Sequence, residues 1–216
     1  MLTLRQTQWE RLKSTRFDIL ILGGGINGAC LFHHLSAAGY HVLLVDQGDF
    51  ACATSQSSAM MIWGGLLYLK DLRFPTVWQL CGSRDRLVRE KASWVRPQLF
   101  RYLVSHNGRR SDMLMNTALH GYWLMGRCRG ARPTRSTDFP ETSFLKNESF
   151  ANSFVYEEAV LDTSDSRFAL RWILEGQTDH AVALNYCSLL EASFDETSRQ
   201  WRSCWTLGAT GRRSWT

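Results

Sequence analysis

Residues 23–28 read Gly-Gly-Gly-Ile-Asn-Gly, a run whose chemistry is the capture of a diphosphate. The first amide N–H groups of a helix have no partner inside it, and the aligned peptide dipoles add partial positive charge at that end. Gly23 permits a tight turn, Gly25 lets backbone come up against a pyrophosphate, and Gly28 lets the helix lie close to a sheet. Gly24, Ile26 and Asn27 complete the turn. A side chain at Gly25 would stand where the phosphate goes. Asp46, with Gln47 after it, lies eighteen residues beyond Gly28. A carboxylate at that distance can accept hydrogen bonds from both hydroxyls of an adenosine ribose, and it disfavours a 2′-phosphate. These residues point to a dinucleotide, and the spacing leaves FAD and NAD both open.

Such a site needs a strand before the turn, a helix after it and a second strand that delivers the acid. Residues 17–22, Phe-Asp-Ile-Leu-Ile-Leu, have the length and apolar character of a strand buried on both faces. Residues 26–38 read as a helix with Ala29, Cys30, His33 and Ala37 on one side, and Gly39 supplies its stop. Residues 41–45, His-Val-Leu-Leu-Val, form the second strand. Strand, helix and strand within thirty residues require a right-handed crossover and a parallel sheet.

Beyond this unit the pattern is coarser. The small and polar residues 51–58 suit close approach of backbone to a ligand. Residues 76–93 read as an amphipathic helix with Val77, Leu80, Cys81, Leu87 and Val88 inward and Arg84, Arg86, Arg89 and Glu90 facing elsewhere. Residues 113–125 are apolar on most sides, which fits a buried core helix or a surface touching a membrane interface. A further helix over 166–175 and a strand over 181–186 follow, and residues 201–216 show no periodicity.

Composition bounds the rest. At 216 residues, 44% hydrophobic and 21% charged, the chain can build a packed core. The net charge of +5 is scattered, and its densest group, Arg127, Arg129, Arg132 and Arg135, lies in a glycine- and proline-containing loop. A solvated loop is its first reading, with a lipid headgroup or substrate-phosphate contact as the alternative. No nucleic-acid-binding signature accompanies it. The six cysteines stand alone and are expected to be free thiols. His33 and His34 are neighbours on a helix and do not converge on a metal, so no metal site is expected. Ser55, Ser57 and Ser58 lack the setting of a hydrolase nucleophile. With no apolar leader and no run long enough to span a bilayer, a cytoplasmic protein is expected, and the sequon at Asn147 is taken as chance.

Three runs carry a more specific likeness: residues 21–29 around the glycine turn, residues 48–55 reading Gly-Asp-Phe-Ala-Cys-Ala-Thr-Ser, and Gly64-Gly65-Leu66 followed by Tyr68-Leu69. Tyr156 and Asp165-Ser166-Arg167 are weaker echoes. On these residues the chain resembles the FAD-dependent, aerobic-type glycerol-3-phosphate dehydrogenases of the D-amino-acid-oxidase-like flavoprotein superfamily, over residues 17–201. The resemblance implies FAD as cofactor and an α/β fold with a FAD-binding Rossmann-like parallel sheet, interrupted by part of a substrate domain. It implies that Thr54, Ser55 and Ser58 run along the pyrophosphate and flavin, that Gly64, Gly65 and Leu66 sit beside the isoalloxazine, and that the strand of Val182 helps enclose the adenine. By that likeness residues 1–15 are a tail, 16–72 and 146–200 form the FAD-binding domain, 73–145 are an inserted helical segment on the substrate side, and 201–216 an irregular tail.

The implied activity, in glycerol metabolism, is hydride transfer from a hydroxyl-bearing carbon of a small-molecule substrate to FAD. Electrons would pass to a quinone acceptor through peripheral contact at the inner membrane. The chain departs from the family where Lys, His and Arg are replaced by Met60, Trp63 and Leu67. Phosphorylated substrates and reduced flavins need cations, so an amine or amino-acid oxidase-like enzyme and a non-catalytic FAD-binding remnant stand as alternatives. Family members are more than twice this long and carry their substrate-binding residues in the second half. A truncated or frame-shifted product is therefore expected, and no catalytic residue is assigned.

Overall fold

The computed structural model describes residues 4–105, 112–136, 150–207 and 212–215. Contacts divide the chain into two compact units, one of residues 1–59 with 163–216 and one of residues 60–162. The expected boundary after residue 72 falls inside the second unit, and the one after 145 lies outside the described residues.

In the first unit β1 (Ile19–Leu22), α2 (Ile26–Ala37) and β2 (Val42–Val45) follow α1 (Leu4–Ser14). The β1–α2–β2 passage is the parallel crossover expected, with Ile19 beside Val42 and Leu22 beside Val45. Gly39 ends the helix region at φ +88°, a left-handed conformation that a Cβ disfavours. The buried face of α2 is Gly28, Ala29, Phe32 and Ser36, a small rotation from the expected one, because Phe32 and not Cys30 is the large apolar group. That face meets α5 (Asp165–Gly176), capped at its start by Ser164, whose hydroxyl accepts the Arg167 N–H at 3.3 Å. A Cβ on Gly176 would stand 2.8 Å from the Phe32 ring, so this glycine lets the two helices touch.

β7 (Ala181–Leu184) pairs parallel to β2, giving the order β1-β2-β7 with β2 central and fully buried. β8 (Cys187–Asp195), β9 (Gln200–Leu207) and β10 (Arg212–Trp215) form a separate antiparallel sheet. Two expectations are corrected. The first fifteen residues are helical from Leu4, and Trp9 and Leu12 of α1 are buried against Leu43, Val45, Val182 and Leu184. The final segment is also not irregular where it is described: β9 carries Trp205, fully buried in the same cluster. Burial of about that many large apolar side chains supplies several kcal/mol that an unstructured tail would forgo.

The second unit is an antiparallel sheet in the order β3-β6-β4, with β5 (Thr134–Ser136) also on β6. β3 (Met61–Ile62) and β4 (Val95–Ser105) flank β6 (Phe150–Leu161). This pairing draws the described part of the 146–162 stretch out of the nucleotide domain to which it was expected to belong. α3 (Phe74–Glu90) and α4 (Asp112–Met125) pack with it, burying Val77, Cys81, Met115, Leu119, Tyr122 and Phe154 together. Only one face of α4 is inside, since Met113, Leu114 and Leu124 are exposed. Arg84 is a further correction: it is buried on the inner face of α3 with Val77 and Cys81 instead of facing solvent.

Candidate functional site

The glycine turn sits where β1 ends and α2 begins, at the mouth of a cleft of about 930 Å³ within the first unit. Each glycine has its own reason. Gly23 has φ +103°, and its N–H donates to the Val45 carbonyl at 2.8 Å, tying the turn to the end of β2. Gly25 is the N-cap of α2, and a Cβ there would meet nothing within 4 Å, so the space above it is free for a ligand. A Cβ on Gly28 would lie 2.0 Å from the Gly23 carbonyl oxygen, which fixes how closely the helix leans on the turn. Gly24 is buried, and a Cβ there would lie 2.4 Å from a ring carbon of Phe50. No side chain caps α2 and no acidic residue lies in its first turn. The amides at its start are thus left to whatever enters the cleft.

Of the expected residues, Gly23, Gly25, Ile26, Asn27, Gly28, Asp46, Gln47, Thr54 and Ser55 line this cleft. Gly24 lies behind the wall, with its N–H donated to an Asp46 carboxylate oxygen at 2.6 Å. The Ser58 hydroxyl donates to Asp165 and is not on the lining. Val182 is buried within β7, its side chain in the core. Sequence reasoning did not assign Leu31, Ala51, Cys52, Ala53, Cys187, Ser188 or Leu189, all of which line the cleft. Residues 51–53 stand inside a recognised run. Residues 187–189 reach the site only because β7 places the start of β8 next to Asp46, whose carbonyl accepts the Cys187 N–H at 2.8 Å.

Gly64, Gly65 and Leu66 belong to the second unit and are held by a buried polar network. The Gly64 N–H donates to Glu158 Oε2 at 3.2 Å, and the Cys81 thiol lies 3.5 Å from the Gly64 carbonyl. Arg84 donates to the same Glu158 oxygen at 2.9 Å, and the Tyr122 hydroxyl donates to Glu158 Oε1 at 2.6 Å. A Cβ on Gly64 would stand 2.1 Å from the Tyr122 oxygen, and Gly65 has φ +89°. Burial pushes the Tyr122 phenol up, and the Glu158 carboxylate pushes it further. Burial raises the Cys81 thiol to about 11, against the lowering effect of Arg84. Burial also opposes the Arg84 charge, but Tyr122, Glu158 and Asp85 outweigh it and the guanidinium is held more firmly protonated than usual.

Parallel β–α–β with a glycine turn and an uncapped helix start is the architecture of a Rossmann-like nucleotide-binding domain. The family model described as FAD dependent oxidoreductase matches residues 18–163. The chain therefore belongs to the FAD dependent oxidoreductase family. It is 31% identical over 153 residues to the aerobic glycerol-3-phosphate dehydrogenase of Escherichia coli, covering 71% of this chain and 30% of that protein. With the glycerol-3-phosphate dehydrogenase of Pseudomonas aeruginosa it shares 29% identity, over 68% of this chain and 28% of that one. The fold is similar to that of the glycerol-3-phosphate dehydrogenase from Bacillus halodurans complexed with FAD, at a TM-score of 0.67 and 19% identity. That similarity covers 98% of this chain and 34% of the other. The chain thus spans about a third of the length of the relatives it matches.

Proposed function

We propose that the cleft of the first unit holds the ADP portion of FAD, and that the chain is the nucleotide-binding part of a flavin-dependent dehydrogenase of the glycerol-3-phosphate type. The observation that carries the reading is the open space over Gly25 at the uncapped start of α2. It has the size and donors a pyrophosphate needs, and its acid stands on the neighbouring strand. In this reading the α2 amides receive the pyrophosphate and Asp46 takes the ribose hydroxyls. Thr54 and Ser55 follow the phosphates toward the flavin. FAD, when bound, supplies the hydride acceptor for oxidation of a hydroxyl-bearing carbon. The chain's own residues contribute binding and orientation.

A second reading is favoured by Met60, Trp63 and Leu67. These are apolar where the resembled family carries cations: Met60 and Leu67 are exposed, and the Trp63 ring lies 5.4 Å from that of Tyr68. Without cations there, an unphosphorylated substrate such as an amine or amino acid suits the site better. A quinone acceptor and cytoplasmic, peripheral membrane placement complete the first reading. They draw on exposed Leu72, Phe74 and Trp78, with the Arg127 guanidinium 5.3 Å over the Trp78 ring. Among the described residues no helix is long and apolar enough to cross a membrane.

The test is titration of the purified chain with FAD, followed by flavin fluorescence and visible absorbance. Saturable binding that Gly25→Val abolishes supports the nucleotide reading, and absence of binding by the unaltered chain ends it. Dye reduction by the FAD-loaded chain, with glycerol 3-phosphate against amino acids, separates the two substrate readings.

A further inference from the structure

We propose that Asp46 is a positioning residue, whose carboxylate clamps the glycine turn into its ligand-ready shape before any nucleotide arrives. The inference rests on the nucleotide reading for its purpose, though the clamp itself is a property of the ligand-free chain.

The geometry is specific. Asp46 Oδ2 accepts the Gly24 N–H at 2.6 Å, and Oδ1 accepts the Gly48 N–H at 2.8 Å. One side chain thereby ties the turn after β1 to the loop after β2. The other backbone group of Gly24 is also fixed, because its carbonyl accepts the Ala51 N–H at 3.1 Å. Asp46 is itself anchored by its backbone: its N–H donates to the Leu184 carbonyl at 2.9 Å, and the Gly48 carbonyl accepts the Tyr186 N–H at 2.9 Å. The carboxylate thus joins the turn to the loop of residues 46–51, and the backbone of Asp46 and Gly48 joins that loop to the corner between β7 and β8.

Two consequences follow from charge and valence. A carboxylate oxygen accepts two hydrogen bonds, so each Asp46 oxygen keeps one acceptor site free, and Asp46 stands on the cleft lining where a hydroxyl could use it. The same group therefore acts on the coenzyme in two separable ways, through the loop it holds and through any ribose it touches. A loop already in place loses no freedom on binding, and this is where the clamp gains affinity.

The separating probe is inorganic pyrophosphate, which has no ribose. Asp46→Asn removes a negative charge from the cleft, so electrostatics alone would tighten pyrophosphate binding. Loss of the clamp loosens it, since the amide nitrogen cannot accept one of the two N–H groups. We expect Asp46→Asn to weaken both FAD and pyrophosphate by about tenfold or more, and Asp46→Glu, which keeps both acceptors, to restore part of the loss. In the ligand-free chain, hydrogen exchange at the Gly24 and Gly48 amides should speed up by a similar factor in the Asn variant, with the β2 and β7 amides unchanged. Unchanged exchange at Gly24 and Gly48, or a pyrophosphate affinity that holds or rises while FAD affinity falls, would overturn the clamp. Should the unaltered chain bind neither FAD nor pyrophosphate, the nucleotide reading fails by itself, and the exchange rates still decide the role of Asp46.

Discussion

Arg84 on α3 and Glu158 on β6 form an ion pair 2.9 Å long in which the arginine side chain is 9% exposed and the glutamate not at all. Both Glu158 oxygens are engaged, by Arg84 and the Gly64 N–H on one side and the Tyr122 hydroxyl on the other. Removing Glu158 would leave the buried Arg84 with one of its two carboxylate partners, Asp85, and the Gly64 N–H and Tyr122 hydroxyl without their acceptor. Glu158→Ala should destabilise the second unit by about 3–5 kcal/mol. Arg84 keeps its second ion pair, 2.9 Å to Asp85, which Arg84→Met would break, so the double variant should lose less than the two single losses added together but more than Glu158→Ala alone. Urea unfolding curves of the single and double variants would check this, and additive losses would contradict it.

Three glycines of the turn should respond differently. Gly28→Ala drives a methyl against the Gly23 carbonyl and should cost stability, on the order of 2 kcal/mol or more. Gly24→Ala meets the edge of the Phe50 ring, which can swing away, so it should be milder, and milder still with Phe50→Leu. Gly25→Val should leave the melting temperature nearly unchanged while removing FAD binding. Thermal melts alongside FAD titrations distinguish the three.

Alkaline pH should loosen the second unit. Burial raises the Cys81 thiol to about 11 and the Tyr156 phenol to about 12, above ordinary values of 9.0 and 10.0. For an acid whose folded pKa is raised, the unfolded chain releases its proton first. The stabilising contribution is whole below about pH 9 and is lost as pH climbs toward 11–12. The urea midpoint should therefore fall as pH rises from about 9 to about 11. By phenolate absorbance, Tyr122 and Tyr156 should titrate above the ordinary phenol range.

Trp205 is fully buried between the antiparallel sheet and the parallel one. Trp205→Ala should cost about 3–5 kcal/mol, and removing residues 200–216 should unfold the first unit or leave it with fast-exchanging amides in β2 and β7. A circular dichroism melt unaltered by the deletion would mean that β9 contributes nothing to the core.

Local pattern was enough to place β1, α2, β2 and the turn within a residue or two, because each has a strong period and the glycines punctuate them. It failed where burial depends on a distant partner. Arg84 sits at helical spacing from Val77 and Cys81, yet a charge there reads as solvent-facing until Glu158, 74 residues further on, is brought beside it. Among its described side chains α1 contributes Trp9 and Leu12 to the core, too few for an apolar stripe. In β9 the neighbours Cys204 and Trp205 are both buried, opposite a register shift between Leu189 and Glu191. That irregularity breaks the alternation by which a strand is recognised. Of the cleft lining, Gly23, residues 25–28 and residues 46–47 could be named from local pattern. Residues 187–189 could not, since they owe their place to the sheet order β1-β2-β7.

That order puts β1 at the rim. Its Ile19 and Gly23 amides bond to the β2 side, so by the parallel pattern the backbone groups of Leu20 and Leu22 point outward, and their side chains are 40% and 59% exposed. Among the described residues the glycine turn thus hangs from an edge strand. In deuterated buffer the amides of β1 should light up in alternation, fast at Leu20 and Leu22 and slow at Ile19 and Ile21. Stiffness will fade outward from β2 to the very edge that carries the glycines.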